Sequence, residues 1–308
     1  QQLREEIFKG LSTEKKYISS KFFYDGYGSE LFEQITRLPE YYPTRTEKGI
    51  IQQLKLSFLK KYENLTIVEI GSGDYTKISL LLRNIPVDYL STLVYIPIDI
   101  SQSAIEKNAQ NLVNLYPQVR VQGMVADFLM QLNFLPDSQN RLFCFFGSTI
   151  GNFSPPESRK LMKNISEALY PNEYLLVGFD NIKDVETLEK AYNDAQGVTA
   201  KFNLNILNAV NNISGTNFNT SDFKHFSFYN MLENRIEMHL EALKDLTISS
   251  IYFPKTIQIK KGERIHTENS YKFNTETIQQ IAEQANLELK EIFTDENRWF
   301  SLALFRKK

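Results

Sequence analysis

Apolar and polar positions change their period twice along this 308-residue chain. Over residues 66–180, short apolar runs alternate with stretches of helical spacing. Thr66 to Ile70, Val94 to Asp99, Gln118 to Ala126, Leu142 to Phe146 and Tyr174 to Phe179 read as five strands. The fourth is apolar throughout, as expected of a strand buried on both faces. Pro97 predicts an irregular or less central second strand. Helical spacing fills 77–85, 101–114 and 155–169, the last opened by Pro155-Pro156-Glu157 behind a Ser154 cap. Such alternation predicts an α/β fold built on a doubly wound parallel sheet. Residues 1–60 read as mostly helical. From 183 to 272 a helix through Val185 to Tyr192 precedes alternating runs such as Arg235 to Leu240 and Thr256 to Ile259, which predict antiparallel sheet with one wet face. A helix near 274–286 and two closing strands, Leu287 to Phe293 and Phe300 to Phe305, return the chain to the parallel sheet as a hairpin. The expected division is a nucleotide-type core, 61–182 plus 273–308, and a second α+β domain, 1–60 plus 183–272.

Composition narrows the class. The chain is 42% hydrophobic and 23% charged, ordinary for a globular protein with a sizeable core. A net charge of −2 offers no footprint for nucleic acid. No apolar run approaches the roughly 20 residues of a membrane span, and Gln1-Gln2-Leu3-Arg4-Glu5-Glu6 lacks the pattern of a signal peptide. Cys144 alone excludes an internal disulfide and suits a reducing, cytoplasmic compartment. Within Leu142 to Phe146 it reads as a core residue, not a nucleophile. His225, His239 and His266 lack metal-ligand spacing, so no metal is expected and each reads as a surface residue. A monomer acting on a small molecule is expected.

The segment Glu69-Ile70-Gly71-Ser72-Gly73 carries the first chemistry. A strand running into a glycine turn and a helix lets backbone approach a ligand closely. Position 76 is threonine, so the third glycine of the dinucleotide fingerprint is missing. Glu69 would repel a pyrophosphate but could pair with a cationic amino group. Both points favour S-adenosylmethionine (SAM) over a nicotinamide cofactor. Ligands of open α/β sheets lie beyond the carboxyl ends of the strands. Asp99 stands there for ribose hydroxyls, Asp127 and Phe128 for the adenine amino group and ring, and Gly147 to Asn152 after the fourth strand. Lys77 reads either as a solvated helix lysine or as a group near the SAM carboxylate.

Further blocks bear on the substrate. They are Phe22 to Phe32, containing Tyr24-Asp25 and Gly28-Ser29, then Leu38-Pro39-Glu40-Tyr41-Tyr42-Pro43-Thr44-Arg45, Gly147-Ser148-Thr149-Ile150-Gly151-Asn152, Ala191-Tyr192-Asn193-Asp194, and Thr267-Glu268-Asn269-Ser270. With them the chain resembles, over nearly its whole length, the SAM-dependent histidine Nα-methyltransferases of ergothioneine biosynthesis. Fungal ergot-type amino-acid N-methyltransferases share that family. The resemblance implies a class I, Rossmann-like SAM-methyltransferase core with a second, substrate-binding domain. It implies trimethylation of L-histidine to hercynine without a covalent nucleophile. It places Asn152 and Tyr192 at the carboxylate and amino end of the amino acid, and Tyr24 and Tyr41 along the substrate site. Glu268 and Ser270 fall on the imidazole nitrogens, Met238 beside the ring and Gly147 by the reacting amine. Gly71, Lys77, Asp99, Asp127 and Phe128 fall on the cofactor, in line with the loop of Glu69, Ser72 and Gly73. Tyr24 and Asn152 would act catalytically by positioning the amine, whose proton leaves to Tyr24 or to water.

The residue chemistry agrees with that placement. A carboxylate and a hydroxyl two positions apart on a strand point the same way, and an imidazole offers them two ring nitrogens. Asn269 and Tyr271 between and beside them point to the opposite face. Met238 reads more often as plain core packing, and Phe202 equally well as a wall to the ring or as core packing. The nearest alternative is Nα-methylation of another amino acid such as a tryptophan derivative. An indole has one donor and no acceptor, which would leave Glu268 poorly matched. The other alternative is a non-catalytic module that binds SAM or an amino acid.

Overall fold

A computed structural model describes residues 1–59, 61–128, 131–136, 138 and 140–308. Its helices are α1 (Gln2–Leu11), α2 (Gly26–Ile35), α3 (Tyr42–Gln53), α4 (Tyr75–Leu82), α5 (Gln102–Leu115), α6 (Pro155–Ala168), α7 (Val185–Lys190), α8 (Val198–Ser214) and α9 (Thr275–Gln284). Its strands are β1 (Thr66–Ile70), β2 (Val94–Asp99), β3 (Arg120–Val121), β4 (Met124–Val125), β5 (Arg141–Phe145), β6 (Tyr174–Asp180), β7 (Phe223–Asn230), β8 (Arg235–Ala242), β9 (Leu246–Ile248), β10 (Ile257–Ile259), β11 (Arg264–Tyr271), β12 (Leu287–Thr294) and β13 (Phe300–Lys307). The chain divides into two compact units. One is Pro43–Ile182 with Lys272–Lys308, and the other is Gln1–Tyr42 with Lys183–Tyr271.

The first unit is built on one sheet in the order β12-β13-β6-β5-β1-β2-β3, with β4 also pairing β2. Its inner pairs are parallel, while β13 joins β6 and β12 antiparallel as a closing hairpin. Every residue of β1 and β5 is buried, which explains their unbroken apolar character. From β1 the chain passes to β2 on one side and later to β5 on the other. The carboxyl ends of β1 and β5 therefore form the switch point at which such sheets hold ligands.

Two expectations about the strands need correction. The third strand is two short pieces separated by Gln122-Gly123. A Cβ on Gly123 would lie 2.4 Å from Ile105 of α5, so the break coincides with a close helix approach. β2 itself is regular despite Pro97, in register with β1 from Val94 to Ile98. The carbonyls of Tyr95 and Asp99 bond Gln122 and Ala126, while that of Ile98 bonds Gly71. Pro97 thus turns its missing N–H toward the broken strand, where no ladder bond is lost. Residues 43–59 also belong with the sheet unit, not with the N-terminal segment. Ile50, Ile51, Leu54, Leu56 and Leu59 join Ile67, Ile78, Leu81 and Leu142 in one buried cluster.

The second unit holds the antiparallel sheet β11-β8-β7 and the short pair β9-β10. Helix α8, which the sequence pattern did not reveal, packs against β7 and β8. Val198, Phe202, Ile206 and Val210 lie at helical spacing and are buried. Asp194 starts it, accepting the Val198 and Thr199 N–H groups at 2.9 and 2.8 Å, and Gly215 in the left-handed region ends it. The register of β11 on β8 slips between His266 and Glu268, so Thr267 is the extra residue of a bulge. The supposedly wet face of β8 is polar but partly closed, since Glu237 is buried. Among the described residues, no helix is long and apolar enough to cross a membrane.

Candidate active site

At the end of β1 the chain turns through Gly71, whose φ of 70° suits a residue without a side chain. The Gly71 and Ser72 N–H groups both donate to the Ile98 carbonyl, at 2.8 and 3.2 Å, which ties the turn to the end of β2. Phe128 lies beside it, 4.0 Å from where a Gly71 Cβ would be, and packs edge-on against Phe145 at 5.9 Å. Ser72 is buried, its Oγ has no protein partner among the described residues, and its carbonyl accepts from Asn108 Nδ2 at 2.8 Å. Gly73 has open space around it. Asp99 accepts the Ser101 N–H at 2.9 Å, and burial raises its pKa. Asp127 is exposed, and its N–H donates to Gln131 at 2.8 Å.

Glu69, the acid expected to face a cationic amino group, lies inside the fold. It is 3% exposed, and burial pushes its pKa from 4.5 up to about 8, against the opposing pull of a hydrogen bond with the Tyr95 hydroxyl and of Lys77. At neutral pH it is mostly protonated. Lys77 is neither solvated nor aimed only at a ligand. Its Nζ pairs with Glu47 at 2.7 Å, and the lysine side chain is 14% exposed. Sequence reasoning missed Glu47. Both its oxygens also accept the Gly147 N–H at 2.9 Å.

Gly147 (φ 80°) and Ser148 (φ 54°) turn the chain at the end of β5 through two consecutive left-handed residues. Ser148 has a Cβ and carries strain there. Its Oγ accepts the Asp180 N–H and its carbonyl the Gly151 N–H, both at 2.8 Å. The turn leads into a single 3-10 segment, Thr149–Asn152, that ends on half-buried Asn152.

The second unit gathers most of the proposed substrate residues. The Tyr24-Asp25-x-x-Gly28 block has a structural cause. Asp25 caps α2, accepting the Gly28 N–H at 2.7 Å, and a Cβ on Gly28 would lie 1.8 Å from the Phe23 carbonyl. Tyr24, 39% exposed, packs edge-on against Phe32 (5.7 Å) and Phe202 (6.1 Å). Phe202, buried in the core, stacks on Phe23 at 4.5 Å. Tyr41 continues the series, edge-on to Phe32 at 6.4 Å and to Tyr192 at 6.2 Å. The Tyr192 hydroxyl donates to Ser270 Oγ at 2.8 Å. Glu268 and Ser270 are both buried on β11, and Met238, 1% exposed, is the register partner of Glu268. Asn269 and Tyr271 engage other groups, His266 and Arg235.

Behind these residues runs a polar network that the sequence did not disclose. Asn203 of α8, 0% exposed, accepts the Thr267 hydroxyl at 2.7 Å. Its amide nitrogen bonds His225 Nδ1 at 2.8 Å and the His239 carbonyl at 2.9 Å. His225 Nε2 bonds the Tyr192 carbonyl at 2.9 Å. None of the three histidines is the bland surface residue expected. All are half-buried with a bonded ring nitrogen, and burial holds each pKa below its ordinary value. Among the described residues, no group of three or more His, Cys, Asp or Glu could hold a metal.

A family model described as "Histidine-specific methyltransferase, SAM-dependent" matches residues 3–307. The chain belongs to that family. Its cofactor is SAM. The methyltransferase is 35% identical to the histidine N-alpha-methyltransferase of Mycolicibacterium smegmatis over 302 residues, spanning 98% of this chain and 94% of that one. It is also 35% identical to the Mycobacterium tuberculosis protein of that name over 309 residues, 99% of this chain and 95% of the other. A more distant relative is the 4-dimethylallyltryptophan N-methyltransferase of Aspergillus fumigatus, 26% identical over 94% of this chain and 89% of that one. Among solved structures, mitomycin 7-O-methyltransferase superposes with a TM-score of 0.55 at 12% identity, over 100% of this chain and 68% of the other. That likeness supports the class I methyltransferase fold of this enzyme.

Proposed function

We propose that this methyltransferase methylates the α-amine of L-histidine, three times in succession, to give hercynine in ergothioneine biosynthesis. The observation that carries the reading is the pair Glu268 and Ser270, both buried on β11 within the unit that also holds Tyr24, Tyr41 and Tyr192. A carboxylate with a hydroxyl two positions on matches the two nitrogens of an imidazole, and an indole would leave the carboxylate undersatisfied. Identity to two histidine N-alpha-methyltransferases over nearly the full length supports the same substrate.

The residues at the strand ends suit SAM on structural grounds. Ser72 Oγ is a buried hydroxyl without a protein partner among the described residues, and the left-handed turn at Gly71 presents backbone where a side chain would obstruct. In this reading Asp99 takes the ribose hydroxyls, Asp127 and Phe128 the adenine, Lys77 the carboxylate, and Glu69 the amino group. An arriving ammonium would draw the proton off Glu69 and leave the carboxylate paired. When bound, SAM supplies a methyl group on a sulfonium that departs as a neutral thioether. The protein's task is to hold a deprotonated amine about 3–3.5 Å from the methyl carbon on the side away from sulfur. Asn152 and Tyr192 orient the amino acid, Gly147 lies beside the amine, and Tyr24 or solvent takes the proton. No side chain acts as a nucleophile. The test is incubation with SAM and each amino acid in turn, read by mass spectrometry. Histidine gaining three methyl groups is expected. Preferred methylation of a tryptophan, or no methylated product from any amino acid, overturns the proposal.

A further inference from the structure

Glu47 is a fully buried carboxylate on which three elements of the sheet unit converge. Its two oxygens hold the Gly147 N–H after β5, Oε2 pairs with Lys77 of α4, and β6 makes room for it. A Cβ on Gly178 would lie 2.2 Å from Glu47 Oε1. A carboxylate stripped of water is costly unless it is paired and hydrogen-bonded, and packing alone would be served by an apolar side chain. The bond goes to a strained place. Gly147 and Ser148 are consecutive left-handed residues, and such strain persists only where the surroundings over-determine it. Two ties do so here, Glu47 on the Gly147 N–H and the Asp180 N–H on Ser148 Oγ.

We propose that Glu47 is a positioning residue for methyl transfer, fixing the Gly147–Ser148 turn from which the loop to Asn152 departs. The proposal rests on the reading of Gly147 and Asn152 as neighbours of the reacting amine. Lys77 is the counter-charge that makes the buried carboxylate tolerable. It follows that removing Glu47 separates two quantities that a merely structural residue would move together. The turn loses its tie, while Lys77 loses an internal competitor for the cofactor's carboxylate.

The test compares Glu47→Gln, which keeps an acceptor for the Gly147 N–H, with Glu47→Leu, which removes both bonds. A displacement of the turn by an ångström lowers kcat by roughly 100-fold, and that loss is expected for Glu47→Leu, with Glu47→Gln in between. Affinity for S-adenosylhomocysteine, measured by titration calorimetry, stays within about threefold or tightens as Lys77 is freed. Hydrogen exchange at the Gly147 amide, measured without turnover, speeds up in Glu47→Leu and much less in Glu47→Gln. If the unpaired lysine unfolds Glu47→Leu, Glu47→Leu with Lys77→Met restores charge balance and must show the same loss of kcat and of amide protection. Unchanged Gly147 exchange in Glu47→Leu overturns the proposal, as does a parallel fall of kcat and S-adenosylhomocysteine affinity. An inactive wild-type protein would instead sink the reading of the substrate, and the exchange measurement would still decide on the tie.

Discussion

Glu69 and Glu237 are both buried strand glutamates, 3% and 8% exposed, and they have opposite fates. Burial pushes Glu69 up to about 8. Burial also pushes Glu237 upward, though it is less deeply enclosed on β8 of the other unit, yet it lies at about 2. Partners make the difference. Asn230, the Arg235 guanidinium and His239 all donate to Glu237, at 2.8–3.0 Å. Glu69 has the Tyr95 hydroxyl as its hydrogen-bond partner, with Lys77 acting through its charge. One carboxylate is satisfied by its own fold. The other is held neutral at a sheet end where a cationic ligand is expected, and under-compensation of this kind marks a site more than acidity does.

The largest effect should come from the substrate side. Glu268→Ala is expected to weaken histidine binding roughly 100-fold, as loss of a hydrogen bond to a charged group implies. S-adenosylhomocysteine binding should stay within about twofold, since the cofactor residues belong to the sheet unit. Calorimetric titration of both ligands decides, and equal loss of the two would end the separation of roles.

Next come two opposite pH slopes. Glu69 keeps its proton in the fold up to about 8, whereas a solvated glutamate releases it near 4.5. The folded state binds more protons across that window, so ligand-free stability falls as pH rises through it, by up to about 1.4 kcal/mol per unit. Glu237 is the reverse. Its stabilisation is present above 4.5 and is lost as pH falls toward about 2. Urea titrations across pH should show Glu69→Gln flattening the slope between 4.5 and about 8, and Glu237→Gln flattening the slope between about 2 and 4.5. SAM binding should release a proton below about pH 8, because pairing ionises Glu69, and that release should vanish in Glu69→Gln. Matching slopes in both variants would mean the contrast is not electrostatic.

Smaller still is the loss of a cap. Asp25→Ala should lower stability by about 1 kcal/mol, read as a shift in the urea midpoint. It should also loosen the α2–α8 contact, because Asp25 accepts from Asn205 at 2.9 Å. A variant with unchanged stability would show that Gly28 alone sets the turn.

The two units also differ in how much of them could be read in advance. Buried parallel strands are apolar runs closed by a turn, so β1, β5 and β6 were legible from local pattern, as was the position of Asp99 at the end of β2 and of Asp127 just past β4. The irregularity expected at Pro97 was misread, because its missing N–H faces the neighbouring broken strand and β2 keeps its register with β1. Helix α8 was not legible, because Asn203 and Asn205 stand among its buried positions and break the apolar pattern. Both are buried donors whose partners lie in other elements. Glu47 had no signal beyond following the Tyr42 to Arg45 block, since its partner Gly147 is 100 positions away. Glu268 and Ser270 are proposed from resemblance and strand alternation together. The Thr267 bulge beside them leaves no local mark.

The finest distinction is a tautomer. Both amide hydrogens of Asn203 go to acceptors, the His239 carbonyl and His225 Nδ1. His225 therefore carries its proton on Nε2 and donates it to the Tyr192 carbonyl, an assignment fixed by the network. A second proton on Nδ1 would oppose two donors. Burial also disfavours the charged ring, and only the Tyr192 carbonyl and Asp194 pull the other way. The fold thus holds His225 neutral where the unfolded chain would be charged, so stability is lost as pH falls below 6.5. His225→Phe should cost about 1 kcal/mol per lost hydrogen bond at neutral pH. It should raise the KM for histidine by roughly three- to tenfold as Tyr192 loosens, with little change in kcat. The Tm lost between about pH 7.5 and 5.5 should be smaller in the variant than in the wild type, because one of the three neutral histidines is gone. If the two proteins lose the same Tm over that interval while KM rises, His225 holds Tyr192 by packing and not through its neutral tautomer.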